Sequence, residues 1–458
     1  MSPGTATADA VVVGAGMAGL TAAHAFVEAG LRPVVLEASG EVGGLVMSGT
    51  VGGHEVDLGA ESFAVRRPDV RDLATSLGLA VESPSGGSWV YADGHAFPMP
   101  AEALLGIPAD PAAADVAAVL SPEGAARAAW DAALDRAVGA EAATLADLVR
   151  ARMGAEVLDR LVRPIAGGIH SADPADLAVD SVVPGLREGL ARHSSLGAAV
   201  SALRAAAPSG PAVATTTGGL FRLPQALAQA VLAGGGRVRT RAAVQRVQAG
   251  RDWEVTVHAA DGGPTLVRAP RLVLATDAPA AARLLSEVLP GTVPAQPTGS
   301  AITHVTLVVR ATALDDAPRG SGLLVAPGPG ATRAKALTHA SVKWPWLAAA
   351  TDPGEHVLRL SYGRPGDPAG SDVDTGVAVR DAGHLLGVPI DEVLDAAVVR
   401  RTGALAPTTP GHQAAVVDLQ SRVRVLPGLA VTGAWVAGTG LGAVVPHAAG
   451  EAVRVVAG

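Results

Sequence analysis

An apolar run, Ala10-Val11-Val12-Val13, breaks into Gly14-Ala15-Gly16-Met17-Ala18-Gly19 and resumes as Leu20-Thr21-Ala22-Ala23-His24-Ala25, a helical pattern that stops near Gly30. Strand, glycine turn and helix start follow in the order that a dinucleotide pyrophosphate requires. The first glycine makes the tight turn, the second lets the backbone approach the phosphates, and the third lets helix and strand pack closely. The free amides and the dipole of the helix start then face negative charge. A second apolar strand, Pro33-Val34-Val35-Leu36, ends on Glu37, about 20 residues past the glycines, where a carboxylate accepts hydrogen bonds from a ribose. The turn alone would serve NAD or FAD equally.

The rest of the chain offers little independent chemistry. There is no Ser/His/Asp arrangement, no HExxH and no cluster with metal-ligand spacing, and with Cys 0 disulfide scaffolds, thiolate metal sites, CxxC relays and cysteine-linked flavin all drop out. A formal charge of -8, without Lys/Arg runs or interleaved aromatics, argues against nucleic acid as a partner. The apolar start is too short for a signal-peptide core, so a cytoplasmic protein is expected. From Gly428 to Ala449 there is no Asp, Glu, Lys or Arg, but the segment is built from Ala, Val and Gly and holds Pro446. It reads as part of a cofactor site rather than as a membrane span.

At 458 residues the chain exceeds what one core supports, so several lobes are expected. Residues 1–88 read as the first part of a Rossmann-like nucleotide-binding domain, and the glycine-rich stretch Glu41 to Phe63 reads as loops bordering its site. Residues 89–110 open a substrate domain with a hairpin that turns at Asp93-Gly94. Alanine-rich amphipathic stretches over 111–205, broken at Gly139, Gly154, Pro164, Pro174 and Pro184, predict a mostly helical lobe. Alternating strands and helices return the chain to the nucleotide-binding domain over 206–285, where Leu272-Val273-Leu274-Ala275 is a buried-type strand. Residues 286–410 complete the substrate domain with strands at Thr303 to Val309 and His356 to Ser361 separated by long loops. Residues 411–458 supply a last strand, a glycine turn and a closing helix.

Read together, these pieces resemble the flavin-containing amine oxidase superfamily, and within it the bacterial porphyrinogen oxidases, especially the actinobacterial coproporphyrinogen III oxidases. The superfamily-level likeness rests on Gly14 to Gly19, Glu37-Ala38, Gly43-Gly44 and Gly59-Ala60-Glu61-Ser62-Phe63. More discriminating are Leu161-Val162-Arg163-Pro164-Ile165-Ala166-Gly167-Gly168-Ile169-His170, then Asp173-Pro174-Ala175-Asp176-Leu177, and Gly218-Gly219-Leu220-Phe221-Arg222-Leu223-Pro224. Ser341-Val342-Lys343-Trp344-Pro345-Trp346, Leu360-Ser361-Tyr362-Gly363-Arg364, Gly433-Ala434 and Gly438-Thr439-Gly440-Leu441 complete the pattern.

The resemblance implies an α/β architecture: a Rossmann-like FAD-binding domain, an α+β substrate domain and a mostly helical lobe. It also implies FAD held non-covalently. Gly14, Ala15, Gly16, Met17, Ala18 and Gly19 would hold the pyrophosphate, and Glu37 and Ala38 the ribose. Gly44 and Leu45 would also contact the cofactor, Leu45 standing where relatives usually carry Lys or Arg. Gly59, Ala60, Glu61 and Ser62 would line the flavin, Val244 would meet adenine through its backbone, Ala275 would be a further cofactor contact, and Gly433, Thr439, Gly440 and Leu441 would close the ring end. The implied reaction is a six-electron oxidation of a porphyrinogen by oxygen in haem synthesis, with hydride passing to flavin N5 and peroxide released.

Such a substrate is an apolar disc with carboxylate arms, for which arginine is the better clamp. Arg66 and Arg67, just after the flavin-lining loop, are the expected pair. His170 and Lys343 are further candidates, and His412 is expected to make a structural hydrogen bond. Coproporphyrinogen and protoporphyrinogen are not separable at this level. An amine oxidase proper and a diverged FAD-binding module also remain open, the first set back by having only Tyr91 and Tyr362 as tyrosines. Oligomeric state is not legible, and the resemblance leaves room for weak peripheral contact with a membrane.

Overall fold

The computed structural model describes residues 5–170, 172–207, 210–259, 265–291, 301–328, 332–364, 372–401 and 410–457. Its centre is a five-stranded sheet in the order Arg237–Arg239, Pro33–Leu36, Ala10–Val13, Leu272–Leu274 and Leu429–Val431, parallel at every pairing. The first strand has later strands on both sides, so a topological switch point lies at its carboxyl end, where Gly14 begins. Ala10–Val13 and Pro33–Leu36 are buried at every position, which is why they read as unbroken apolar runs rather than as alternations.

Both faces of this sheet are covered. On one, Val12 and Val35 pack with Leu20 and Phe26 of the helix Met17–Glu28, Leu223 and Leu227 of the helix Arg222–Ala233, and Ala452 and Val455 of the helix Leu441–Ala457. On the other, Val11, Val13 and Leu274 meet Trp253, Val255 and Val257 of a four-stranded sheet and Leu419 and Val423 of the helix Pro410–Arg424. The segment from Gly428 to Ala449 is thus a buried strand at the edge of the five-stranded sheet, followed by a short helix, Ala434–Ala437, and the start of the closing helix. No helix among the described residues is long and apolar enough to cross a membrane.

A seven-stranded sheet forms a second layer, in the order Glu392–Arg401, Ile302–Arg310, Glu355–Tyr362, Ala336–His339, Gly322–Val325, Ser88–Ala92 and His95–Pro98. The expected hairpin is present, with Asp93 and Gly94 both at positive φ, 49° and 82°. The stretch expected to hold long loops contains two further strands, Gly322–Val325 and Ala336–His339. The former runs parallel to Ser88–Ala92 and so joins the two halves of the sheet. One face of the sheet packs Val305, Leu307, Leu358 and Leu360 against Ala378, Ala382 and Leu385 of the helix Thr375–Leu386. The opposite face packs Val308 and Val357 against Val51, Val56 and Leu58, on and just after the hairpin Ser48–Val51/His54–Asp57. Helices from Ala114 to Ala206 enclose a separate core around Leu148, Leu158 and Leu161, which also takes Ile107.

Candidate functional site

The glycine turn is built by backbone crowding. Gly14, at φ +101°, would place a Cβ 2.7 Å from Ala275 O, and a Cβ on Gly19 would fall 1.9 Å from Gly14 O. Gly16 lies against Gly44, whose Cβ would stand 3.1 Å from Gly16 Cα, and Gly43 donates its N–H to Ala15 O at 2.8 Å. Glu37 accepts Ala15 N–H and Ser39 N–H, each at 2.8 Å, on different oxygens; each oxygen keeps a lone pair for a further donor. The helix Met17–Glu28 starts behind Gly16 with no side-chain cap and no acidic residue in its first turn, so its leading N–H groups are free for an anion.

The other end of the site comes from distant chain segments. Gly59 is pressed against Leu45, since a Cβ there would lie 1.9 Å from Leu45 O, and Ala60 N–H donates to the same carbonyl at 2.8 Å. Ala18 packs with Val444 and Ala448, beside Ala275 and Ala434. Gly433, at φ +125°, follows the buried Thr432, whose N–H bonds Leu274 O at 2.9 Å. Thr439 and Gly440 are exposed at the start of the helix that begins with the half-buried Leu441. The turn Gly14 to Gly19 with Glu37, the loop Gly44-Leu45, the loop from Gly59, and Ala275 with the segment from Gly433 therefore form one contiguous backbone-lined surface.

Beside this surface stands a charged cluster. Glu61 accepts Lys343 Nζ at 2.6 Å and Arg359 Nη1 at 3.4 Å, with the three side chains 15%, 18% and 8% exposed. Burial opposes ionisation of Glu61, but the two cations prevail and hold its pKa down at about 2. Arg359 Nη2 donates to His304 Nδ1 at 2.8 Å, and burial together with the Arg359 charge pushes His304 down to about 3, so it is neutral. Asp57 accepts Leu220 N–H and Phe221 N–H, both at 2.9 Å, fastening the start of the helix Arg222–Ala233; burial raises it to about 7 against those two hydrogen bonds.

The other expected residues lie outside this charged cluster. Arg66 and Arg67 are exposed, and Arg67 leans toward Asp69 at 3.5 Å. His170 ends the helix Arg163–His170, but its side chain lies outside the described residues. Val244 is buried at a bulge in the strand Ala242–Gln248, and its carbonyl accepts Arg283 Nη2 at 3.3 Å. His412 Nε2 is 2.7 Å from Trp435 O, a structural contact of the kind expected.

The residues present fit FAD. The uncapped helix and glycine turn suit a pyrophosphate, Glu37 a ribose, and the loops around Gly59 and Gly433 a flat ring against backbone. Comparison with known proteins decides the family: the model for flavin-containing amine oxidoreductases matches residues 17–457. The chain belongs to that family. It is an FAD-dependent oxidoreductase. It is 32% identical over 463 residues to the coproporphyrinogen III oxidase of Mycobacterium tuberculosis, covering 97% of this chain and 96% of the relative. It is 30% identical to that of Propionibacterium freudenreichii, covering 94% and 87%. A crystal structure assigned as a protoporphyrinogen oxidase from Exiguobacterium superimposes with a TM-score of 0.81 at 21% identity, over 99% of both chains. Putrescine oxidase bound to putrescine gives 0.64 at 16% identity, over 99% of this chain and 100% of that one. In this family's frame, Arg359, His304 and Asp57 are the polar residues that sequence reasoning missed. The available signal was an arginine set between two leucines of the strand Glu355–Tyr362, in phase with Val357 and Ser361.

Proposed function

We propose that this flavoenzyme oxidises coproporphyrinogen III to coproporphyrin III in the cytoplasm, passing electrons to oxygen. The observation that carries the reading is chain-long identity to coproporphyrinogen III oxidases. Bound FAD supplies the two-electron chemistry. Three turnovers balance the reaction: the macrocycle loses six electrons and six protons, and three oxygen molecules become three of hydrogen peroxide. The segments 1–88, 206–285 and 411–458 would hold the cofactor and 89–110 with 286–410 the substrate, with 111–205 as the helical lobe. The chain's part is to bind and orient a carboxylate-bearing disc, with Arg66, Arg67, His170 and Lys343 as candidate contacts.

The structure supports this over amine oxidation. Tyr91 and Tyr362 are buried in the core on the face of the seven-stranded sheet that packs against Thr375–Leu386, so neither flanks the proposed ring site. Trp435 is buried, and its indole N–H is spent on Thr276 O at 2.9 Å. A pair of aromatic rings beside the flavin is therefore not available from these residues.

The test is direct. The FAD-loaded protein with coproporphyrinogen III under air is expected to yield fluorescent coproporphyrin and peroxide, and Arg67→Ala to raise KM several-fold with FAD content unchanged. Flavin bleaching by primary amines but not by porphyrinogens would overturn the reading. Protoporphyrinogen as the faster substrate would replace it with the neighbouring one.

A further inference from the structure

The loop that carries Gly59 to Ser62 is held to the seven-stranded sheet by a closed run of polar side chains. His304 is hydrogen-bonded to the Leu58 backbone, Arg359 donates to His304 at 2.8 Å, Arg359 reaches Glu61 at 3.4 Å, and Glu61 takes Lys343 at 2.6 Å. The run leaves the loop at Leu58 and returns to it at Glu61. It draws its other members from two neighbouring strands, Ile302–Arg310 and Glu355–Tyr362, and from the short helix Ala340–Lys343.

Its charges do not cancel. Lys343 and Arg359 are two cations against one ionised carboxylate, because His304 is neutral in this setting. Arg359 Nε is buried without a hydrogen-bond partner, so the guanidinium is not fully satisfied by acceptors. Asp57 and Lys335, which also act electrically on the cluster, are opposite in sign and do not reverse the excess. An excess cation in a poorly hydrated site acts over a longer distance than it would in water.

We propose that Arg359, with Glu61 and His304, is a positioning device for the flavin: it fixes the loop Leu58 to Ser62 on the sheet and leaves one positive charge behind it, favouring the cofactor's reduced, more negative state. The proposal rests on the reading that this loop lines the flavin. Lys343 then serves the cofactor end of the site as a charge partner of Glu61.

The experiment is a reductive titration of the FAD-loaded protein against a dye of known potential, with no porphyrinogen present. Arg359→Met is expected to shift the reduction equilibrium at least tenfold toward the oxidised form, about 30 mV for a two-electron couple. Glu61→Gln is expected to shift it by a similar factor the other way, and Arg359→Lys to stay within about threefold of wild type. A purely mechanical strap would loosen in both charge variants and move both in one direction. Such parallel shifts, or no shift with FAD bound, overturn the charge balance. Ala60→Leu distinguishes the underlying reading: an altered visible flavin band supports the loop's placement, and an unchanged band overturns that placement and the proposal with it.

Discussion

The two ends of the proposed FAD site are made in opposite ways. At the glycine turn, recognition is built from backbone: Gly14 and Gly19 leave less than 3 Å for any Cβ, and Gly16 stacks on Gly44. At the loop from Leu58 to Glu61, recognition is built from long side chains that converge from Lys343, Arg359 and His304. The first end tolerates no added atom at Gly14 or Gly19 but carries little charge of its own. The second has room to vary in shape, but its members depend on one another electrically. Steric damage should therefore dominate at one end and charge imbalance at the other.

The sharpest break is at the turn. Gly19→Val puts a branched side chain where even a Cβ would meet Gly14 O at 1.9 Å, so the purified protein is expected to lose more than nine-tenths of its visible flavin absorbance; retention of FAD would show the turn is not the pyrophosphate cradle. Next in size is Glu61→Ala, which leaves two largely buried cations unpaired and is expected to cost about 3 kcal/mol in urea unfolding. A loss below about 0.5 kcal/mol would put the cluster in the class of weak surface pairs.

Burial, with the Arg359 charge, lowers His304 to about 3, and burial with His356 lowers His339 to about 3, from an ordinary 6.5. Between those values the unfolded chain binds the extra protons. The stability tied to the neutral rings is complete above pH 6.5 and is lost on acidification, by about 1.4 kcal/mol per pH unit for each histidine. Asp57, raised by burial from 3.8 to about 7, acts in the opposite sense over much of the same range. His304→Gln is therefore expected to flatten the acid side of the stability curve by one histidine's share, measured as urea midpoints across that range. An unchanged slope would mean that His304 is not neutral in the fold. The smallest effect is at Leu45, 45% exposed beside Gly44. Leu45→Arg adds a cation near the proposed phosphates and is expected to tighten FAD about threefold, ~0.6 kcal/mol.

Legibility in the sequence followed the same division. Ala10–Val13 with its glycines and the Asp93-Gly94 hairpin are specified by neighbours in the chain, and both are readable there. The strands Gly322–Val325 and Ala336–His339 lie in a stretch whose sequence predicts loops, because what makes them strands is pairing with Ser88–Ala92 and Glu355–Tyr362 rather than a pattern of their own. Arg66 and Arg67 drew attention by type and place, yet both are exposed. Arg359 stands just before the motif Leu360 to Arg364 and is not part of it, yet it is the buried centre of the cluster.

The sequence by itself determined a dinucleotide turn and its acidic partner, because glycine spacing and strand burial are local properties of the backbone, and its motifs carried a resemblance to a flavin-dependent family. Tertiary structure alone decided which charges face one another. Glu61, His304, Lys343 and Arg359 meet across as many as 298 residues of chain, and only the packing of the loop against the sheet brings them within hydrogen-bonding reach and out of water.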